Sequence, residues 1–287
     1  MNRDILTVIQ ENMATFSKGQ KRIANYILES YDKAAFMTAS KLGKTVDVSE
    51  STVVRFASEL GYDGYPSMQK SLQKMIRNRL TSVQRIEVSY DRIGDQDVLT
   101  SVLQSDIEKI RLTLEEVDHQ SFDNAVDAIV KGRKIYIIGV RSAASIATFL
   151  HFYFNLIFDN VVMVAATTAS EVYENLIKVG PEDVVIGVSF PRYSSSTVHA
   201  MRFAKDQGAT TIAITDSEAS PLATISSFTL KARSDMASFV DSLVAPLSLV
   251  NALLVAVSRK KDEELSHTFQ KLEKIWDEYG VYEKVQD

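Results

Sequence analysis

The sequence predicts two folded parts: an all-α unit, then a larger α/β unit with a five-stranded parallel sheet flanked by helices. Three observations carry this. Residues 1–80 show helical spacing of apolar positions and no run of alternating β-branched residues. From about residue 134 short, continuous apolar runs recur, IYIIG (135–139), VVMVA (161–165), VVIGVS (184–189), TTIAIT (210–215) and SFTLKA (227–232), separated by helix-length segments. Strands apolar along their whole length belong to parallel sheets, because helices cover both faces. Charge changes at the same place: residues 1–80 carry 12 Lys/Arg against 8 Asp/Glu, and the rest of the chain carries 20 against 29.

A chain of 287 residues with 45% hydrophobic content can bury a full core, which excludes a disordered or fibrous protein. It has no cysteine, so disulfides and thiolate metal sites are excluded, in keeping with a reducing cytoplasm. The apolar part of MNRDILTVIQENM is too short for a signal peptide. The most apolar segment, residues 243–257, falls short of the roughly 20 residues of a spanning helix and contains Pro246, Ser248 and Asn251. It reads as a buried helix, and no membrane association is expected.

Between the parts, TSVQRIEVSYDRIGDQD (81–97) lacks a sustained apolar period. The expected division is a helical unit over 1–80, a linker over 81–105 and an α/β unit over 106–287 with its core at about 125–262. The stretch VLTSVLQSDIEKIRLTLEEV has helical spacing and is expected to dock on the sheet. Near the C-terminus Leu265, Phe269, Leu272 and Trp276 share one helical face, either facing the core or forming a dimer seam; the core is the preferred reading.

Within residues 38–61 one helix ends near Val46 and a second begins at Ser49, whose hydroxyl suits an N-cap, while Glu50 complements the helix dipole. Asp47 takes the corner, where left-handed backbone is tolerated better by Asp than by most residues. Val53, Phe56, Ala57 and Leu60 form the inner face of the second helix. Ser49, Ser51, Thr52 and Arg55 are left near its start, with Ser58 further along the outer face. Two short helices with hydroxyls and an Arg presented by the second match a helix-turn-helix that enters the major groove, where Arg can grip a guanine bidentately. A plain helical hairpin with a solvated face is the alternative. Pro66 marks a further helix start, followed by Lys70, Lys74, Arg77 and Arg79 as phosphate contacts or a solvated basic face.

The segment from KRIANYILESY to VSESTVVRFASELGYDGYPSMQKSL resembles the N-terminal domain of RpiR-type (MurR/RpiR) bacterial transcription regulators. The resemblance is most specific over VSESTVVRFASELGYDGY.

Two loops of the α/β part share a layout. GVSFPRYSSST (187–197) ends a strand and opens a helix, so helix-terminal amides converge with the hydroxyls of Ser194, Ser195, Ser196 and Thr197, and Arg192 can add a forked contact. IYIIGVRSAASIATF repeats it, with Ser142 at the helix start, and AITDSEASPLA can add Thr215 or Ser217. One such serine alone is a helix cap. Repetition beyond the carboxyl ends of parallel strands points to one shared pocket.

These loops, over about residues 125–262, resemble the sugar isomerase (SIS) domain. By that likeness Ser142 and Ser189, with the hydroxyls from Ser194 to Thr197, would contact a sugar phosphate. Isomerases of the family often carry Ser-x-Ser-Gly-Glu-Thr in the second loop, whereas this chain has Ser189-Phe190-Pro191-Arg192-Tyr193-Ser194. No proton-transfer group replaces the missing acid: the four histidines are scattered, and Glu171 and Glu174 are possible sugar-hydroxyl partners only.

The expectation is therefore a cytoplasmic DNA-binding regulator, a repressor of sugar or amino-sugar genes, controlled by a phosphosugar. It would bind a palindromic double-stranded operator as a homodimer or higher homo-oligomer. No catalytic residue, metal or cofactor is assigned. A phosphosugar isomerase with an accessory helical domain is the alternative.

Overall fold

The structure, a computed structural model, describes residues 5–76, 80–93, 97–164, 168–236 and 238–283. Its contacts divide the chain into two compact units, one of residues 1–102 with 236–241, the other of 103–235 with 242–287.

The first unit is helical: α1 (Ile5–Glu11), α2 (Lys18–Glu29), α3 (Tyr31–Ala34), α4 (Ala39–Thr45), α5 (Glu50–Glu59), α6 (Tyr65–Ile76) and α7 (Ser82–Ile93). Each start has a local cause. Ser17 and Gln20 close a capping box on α2, and Thr38 and Ser49 accept first-turn amides of α4 and α5. Ile9, Ile23, Ile27, Leu42, Val53, Phe56, Met68 and Leu72 bury almost completely in one cluster. At about 1.5–3 kcal/mol for each large aliphatic side chain removed from water, this cluster holds the unit together. Pro66 lies in the first turn of α6, as predicted. Lys70 is exposed, whereas Arg77, Arg79 and the side chain of Lys74 lie outside the described residues.

Residues 81–105, read from sequence as the connection, contain α7 and the beginning of α8 (Val98–Glu116). Arg85 of α7 is only 2% exposed and pairs with Asp241 at 2.8 Å. Val88 packs into the first unit's core. The apolar period of α7 is broken by this inward-facing Arg, which concealed the helix in the sequence.

In the second unit, α8 is followed by α9 (His119–Lys131), β1 (Ile135–Gly139), α10 (Ala143–Ile157), β2 (Val161–Met163), α11 (Ala169–Leu176), β3 (Val184–Val188), α12 (Ser195–Asp206), β4 (Thr210–Thr215), β5 (Phe228–Lys231), α13 (Val244–Lys260) and α14 (Asp262–Glu278). All strand pairs are parallel, in the order β2-β1-β3-β4-β5. Period-two alternation splits each strand between two layers. Ile135 and Ile137, with Val184, Ile186, Ile212 and Ile214, pack among residues of α9, α10 and α13. Tyr136, Ile138 and Val185 face the layer of α11 and α12. A Cβ at Gly139 would stand 2.8 Å from the Ala143 carbonyl oxygen and 2.9 Å from the Ala147 methyl, so this glycine lets α10 close onto β1.

The segment 243–257 is the body of α13, with Leu249, Val250, Leu253 and Val257 buried, and among the described residues no helix is long and apolar enough to cross a membrane. One expectation fails: the predicted core-facing helix α14 has no buried residue, its Leu265, Phe269, Leu272 and Trp276 being half-covered. The helix α8 lies, from Leu103 onward, in the second unit as expected, and it turns Lys109 and Thr113 inward.

Candidate functional site

In the first unit α4 and α5 meet at a turn whose geometry follows from three residues. Asp47 has φ 54°, the left-handed conformation expected at that corner. Its carboxylate and carbonyl both accept from Arg22 Nη1, at 2.9 and 2.8 Å. Gly43 allows the Val48 carbonyl to pass close by, since a Cβ there would lie 2.8 Å from that oxygen. Val48 N–H in turn donates to the Gly43 carbonyl at 2.9 Å.

On α5, Val53, Phe56 and Ala57 are buried and Leu60 half-buried, while Ser49, Ser51, Arg55 and Ser58 are exposed. Thr52 is half-buried beside them. Ser49 Oγ lies 2.8 Å from both Ser51 Oγ and Thr52 Oγ1, a hydroxyl cluster at the helix N-terminus. Arg55 Nε reaches back to the Ser51 carbonyl at 3.3 Å, which gathers all four predicted residues at one end of the helix. The cluster offers donors to phosphate or base edges, and the guanidinium is exposed for groove contact.

In the second unit the chain runs from β1 to β2 on one side and from β2 to β3 on the other, so the topological switch point lies between β1 and β3. In register, Gly139 is opposite Val188, and Val188 opposite Ile214, which brings the three strand ends level. Ligands of open parallel sheets collect in the crevice beyond such a point. Both loops there are tightened by an arginine in left-handed backbone, Arg141 (φ 56°) and Arg192 (φ 68°). Such a conformation costs a non-glycine residue on the order of 1–2 kcal/mol and is enriched at functional sites. Arg192 was singled out in the sequence; Arg141 was not, although it lies in the other loop of the repeated layout.

The hydroxyls divide by role. Ser189 is buried, and its Oγ accepts the Ser194 N–H at 3.2 Å, so it shapes the loop. Ser142 and Ser194 occupy the N-cap positions of α10 and α12, yet neither side chain caps. By contrast Ser17, Thr38, Ser49, Asp118 and Thr168 all cap their helices. First-turn amides at an uncapped helix start are donors without an intrahelical partner. Ser195 is exposed and Ser196 half-buried. Thr197, in the first turn of α12, is fully buried, and its Oγ1 has no hydrogen-bond partner among the described residues.

A third loop joins them. Tyr193 OH donates to Asp216 Oδ1 at 2.7 Å, and Thr215 Oγ1 lies 3.4 Å from the same oxygen. Sequence reasoning missed Tyr193 and Asp216, because nothing in their spacing shows that two loops meet. Glu171, a possible sugar partner by sequence, closes a capping box with Thr168: its carboxylate accepts the Thr168 N–H at 3.1 Å. Glu174 is exposed on α11. His199 is exposed on α12. Among the described residues no group of His and acidic side chains could hold a metal ion. Chemically, the crevice offers hydroxyls, helix-terminal amides and two arginine-bearing loops, a set suited to an oxyanion.

Two family models match the chain. Residues 3–79 match the helix-turn-helix domain of the rpiR family, and residues 128–256 match the SIS domain. An uncharacterized HTH-type transcriptional regulator of Caldanaerobacter subterraneus subsp. tengcongensis is 25% identical over 262 residues, 90% of this chain and 92% of the relative. Another from Haemophilus influenzae is 26% identical, covering 88% and 90%. Among solved structures, the sugar isomerase domain of an RpiR transcription factor from Sphaerobacter thermophilus covers 62% of this chain and 99% of its own, at 27% identity and TM-score 0.60. The Vibrio vulnificus NanR protein, complexed with ManNAc-6P, covers 96% of this chain and 98% of its own, at 22% identity and TM-score 0.59, a likeness of fold.

Proposed function

Given that the chain belongs to the rpiR family of helix-turn-helix transcription regulators and carries a SIS domain, we propose that a phosphosugar held at the β1/β3 crevice controls its affinity for an operator. In this reading Ser142, Arg192 and the hydroxyls of Ser194, Ser195, Ser196 and Thr197 receive the phosphate, with Ser189 shaping the loop. Ser49, Ser51, Thr52 and Arg55 meet DNA. Residues 1–80 contact the operator, residues 106–287 sense the sugar, and residues 81–105 connect them.

One observation carries the sensory half. A fully buried threonine hydroxyl without a partner, in the first turn of α12, has been desolvated at a cost of about 1–3 kcal/mol. An oxyanion beside the uncapped helix start would recover that cost through charge-assisted bonds. The ManNAc-6P in the NanR complex favours an amino-sugar phosphate as the first probe.

The control mechanism is linkage. A ligand that binds one arrangement of the protein more tightly than another shifts operator affinity by its differential binding, commonly 5–150-fold. Two copies would read a palindromic site with recognition helices about 34 Å apart. Repression, in the cytoplasm, is the favoured direction.

A regulator is preferred to an isomerase because the relatives carry the names of regulators and Glu171 is committed to a cap. The test is binding to DNA flanking the protein's own gene, with N-acetylmannosamine 6-phosphate, glucosamine 6-phosphate, fructose 6-phosphate, arabinose 5-phosphate and inorganic phosphate. The expected result is a shift in operator affinity with one sugar. Turnover of a panel member would overturn the assignment, as would operator binding indifferent to every member.

A further inference from the structure

The loop between β3 and α12 is bent against its own preference. Arg192 stands in left-handed backbone, φ 68°, a region that only a few per cent of non-glycine residues adopt. Such a conformation persists where the surrounding structure over-determines it. Here it is fastened from both ends.

At the entry, Ser189 N–H donates to the Ile214 carbonyl at 3.1 Å, carrying the β3/β4 pairing one residue further, and Phe190 and Pro191 are buried. At the exit, Ser194 N–H returns to Ser189 Oγ at 3.2 Å, and the Tyr193 hydroxyl donates to Asp216 Oδ1 at 2.7 Å. Asp216 is a firm anchor. It follows directly after β4, is 8% exposed, and has Thr215 Oγ1 at 3.4 Å from the same oxygen. The Thr215 carbonyl in turn accepts the Ala232 N–H at the end of β5, at 2.8 Å. Tyr193 therefore ties a strained turn to the end of the sheet.

We propose that Tyr193 and Asp216 are positioning residues for the ligand. Their bond is a latch that keeps Arg192 left-handed and so aims the uncapped start of α12, with the buried Thr197 hydroxyl, at the phosphate. The proposal rests on the crevice being a phosphosugar site. The latch acts through population: apparent affinity falls with the fraction of molecules that hold the binding geometry. An unlatched arginine leaves the left-handed region, whereas glycine enters it about as readily as its mirror image. Loss of the latch should therefore weaken binding on the order of 10-fold when Arg192 is present. In the Arg192→Gly background the further loss should be only about 2-fold.

The test is a cycle of full-length proteins: wild type, Tyr193→Phe, Arg192→Gly and the double variant, each Tyr193→Phe protein compared with its own parent. Titration calorimetry with N-acetylmannosamine 6-phosphate, glucosamine 6-phosphate and inorganic phosphate should give those two unequal losses. In the ligand-free proteins Tyr193→Phe should lower the thermal midpoint further when Arg192→Gly is present, because relief of strained backbone no longer offsets the lost bond. Asp216→Asn keeps an acceptor for the phenol and should bind within about 3-fold of the wild type. Equal affinity losses in the two backgrounds, equal falls of midpoint, or an Asp216→Asn protein as weak as Tyr193→Phe overturns the latch. A wild type that binds no probe overturns the functional reading instead, and the ligand-free midpoints still decide the latch.

Discussion

Replacing Thr197 by Val removes one hydroxyl and keeps the branched shape. In the free protein Oγ1 is buried without a partner, so the substitution deletes a desolvated polar atom and should stabilise the second unit by about 1–3 kcal/mol. For a unit of this size each kcal/mol moves the midpoint by roughly 2–4 °C, so a gain of several degrees is expected. If, as proposed, the same hydroxyl donates to a charged phosphate, it contributes about 1.5–3 kcal/mol to ligand binding, and its loss weakens affinity roughly 10–150-fold. Differential scanning calorimetry gives the first quantity, and titration calorimetry with the tightest member of the phosphosugar panel gives the second. Opposite signs are the signature of a residue kept for function at the expense of stability. A lowered midpoint would mean that the hydroxyl is satisfied in the folded chain; unchanged affinity would remove Thr197 from the site.

Arg55→Ala should weaken operator binding by about 1–3 kcal/mol without moving the midpoint, because the side chain is exposed; gel-shift titration across mutated half-sites should show relaxed preference at one base pair. For Arg141→Gly, relief of the left-handed backbone should raise stability by about 1 kcal/mol, while loss of the guanidinium lowers phosphosugar affinity; equal affinity would confine Arg141 to shaping the loop. Burial pushes the Tyr65 phenol from 10.0 up to about 12. The folded chain therefore keeps this proton where the unfolded chain releases it, and stability falls as pH rises from 10 to 12. Tyr65→Phe loses the bond to the Met37 carbonyl, about 1 kcal/mol at neutral pH, and thermal melts should show the wild-type advantage shrinking across that window.

The sequence by itself determined the order of elements, because periodicity is local. The five apolar runs became the five strands, and the corner at Asp47 between Val46 and Ser49 followed from capping and left-handed tolerance, which need only neighbouring residues. Local pattern also placed the hydroxyl loops after strands, the main part of the candidate site. What it could not give was anything decided by side chains distant in the chain. The union of Tyr193 with Asp216 and the inward turn of Arg85 toward Asp241 that hid α7 belong to this class. For α8, sequence supplied the helix and its docking on the second unit but not which side turns inward. Tertiary structure decided it: Lys109, Asp106, Thr113, Ser242 and the Arg233 amide satisfy one another on the inner side, and Leu103, Ile107, Ile110 and Leu114 are exposed.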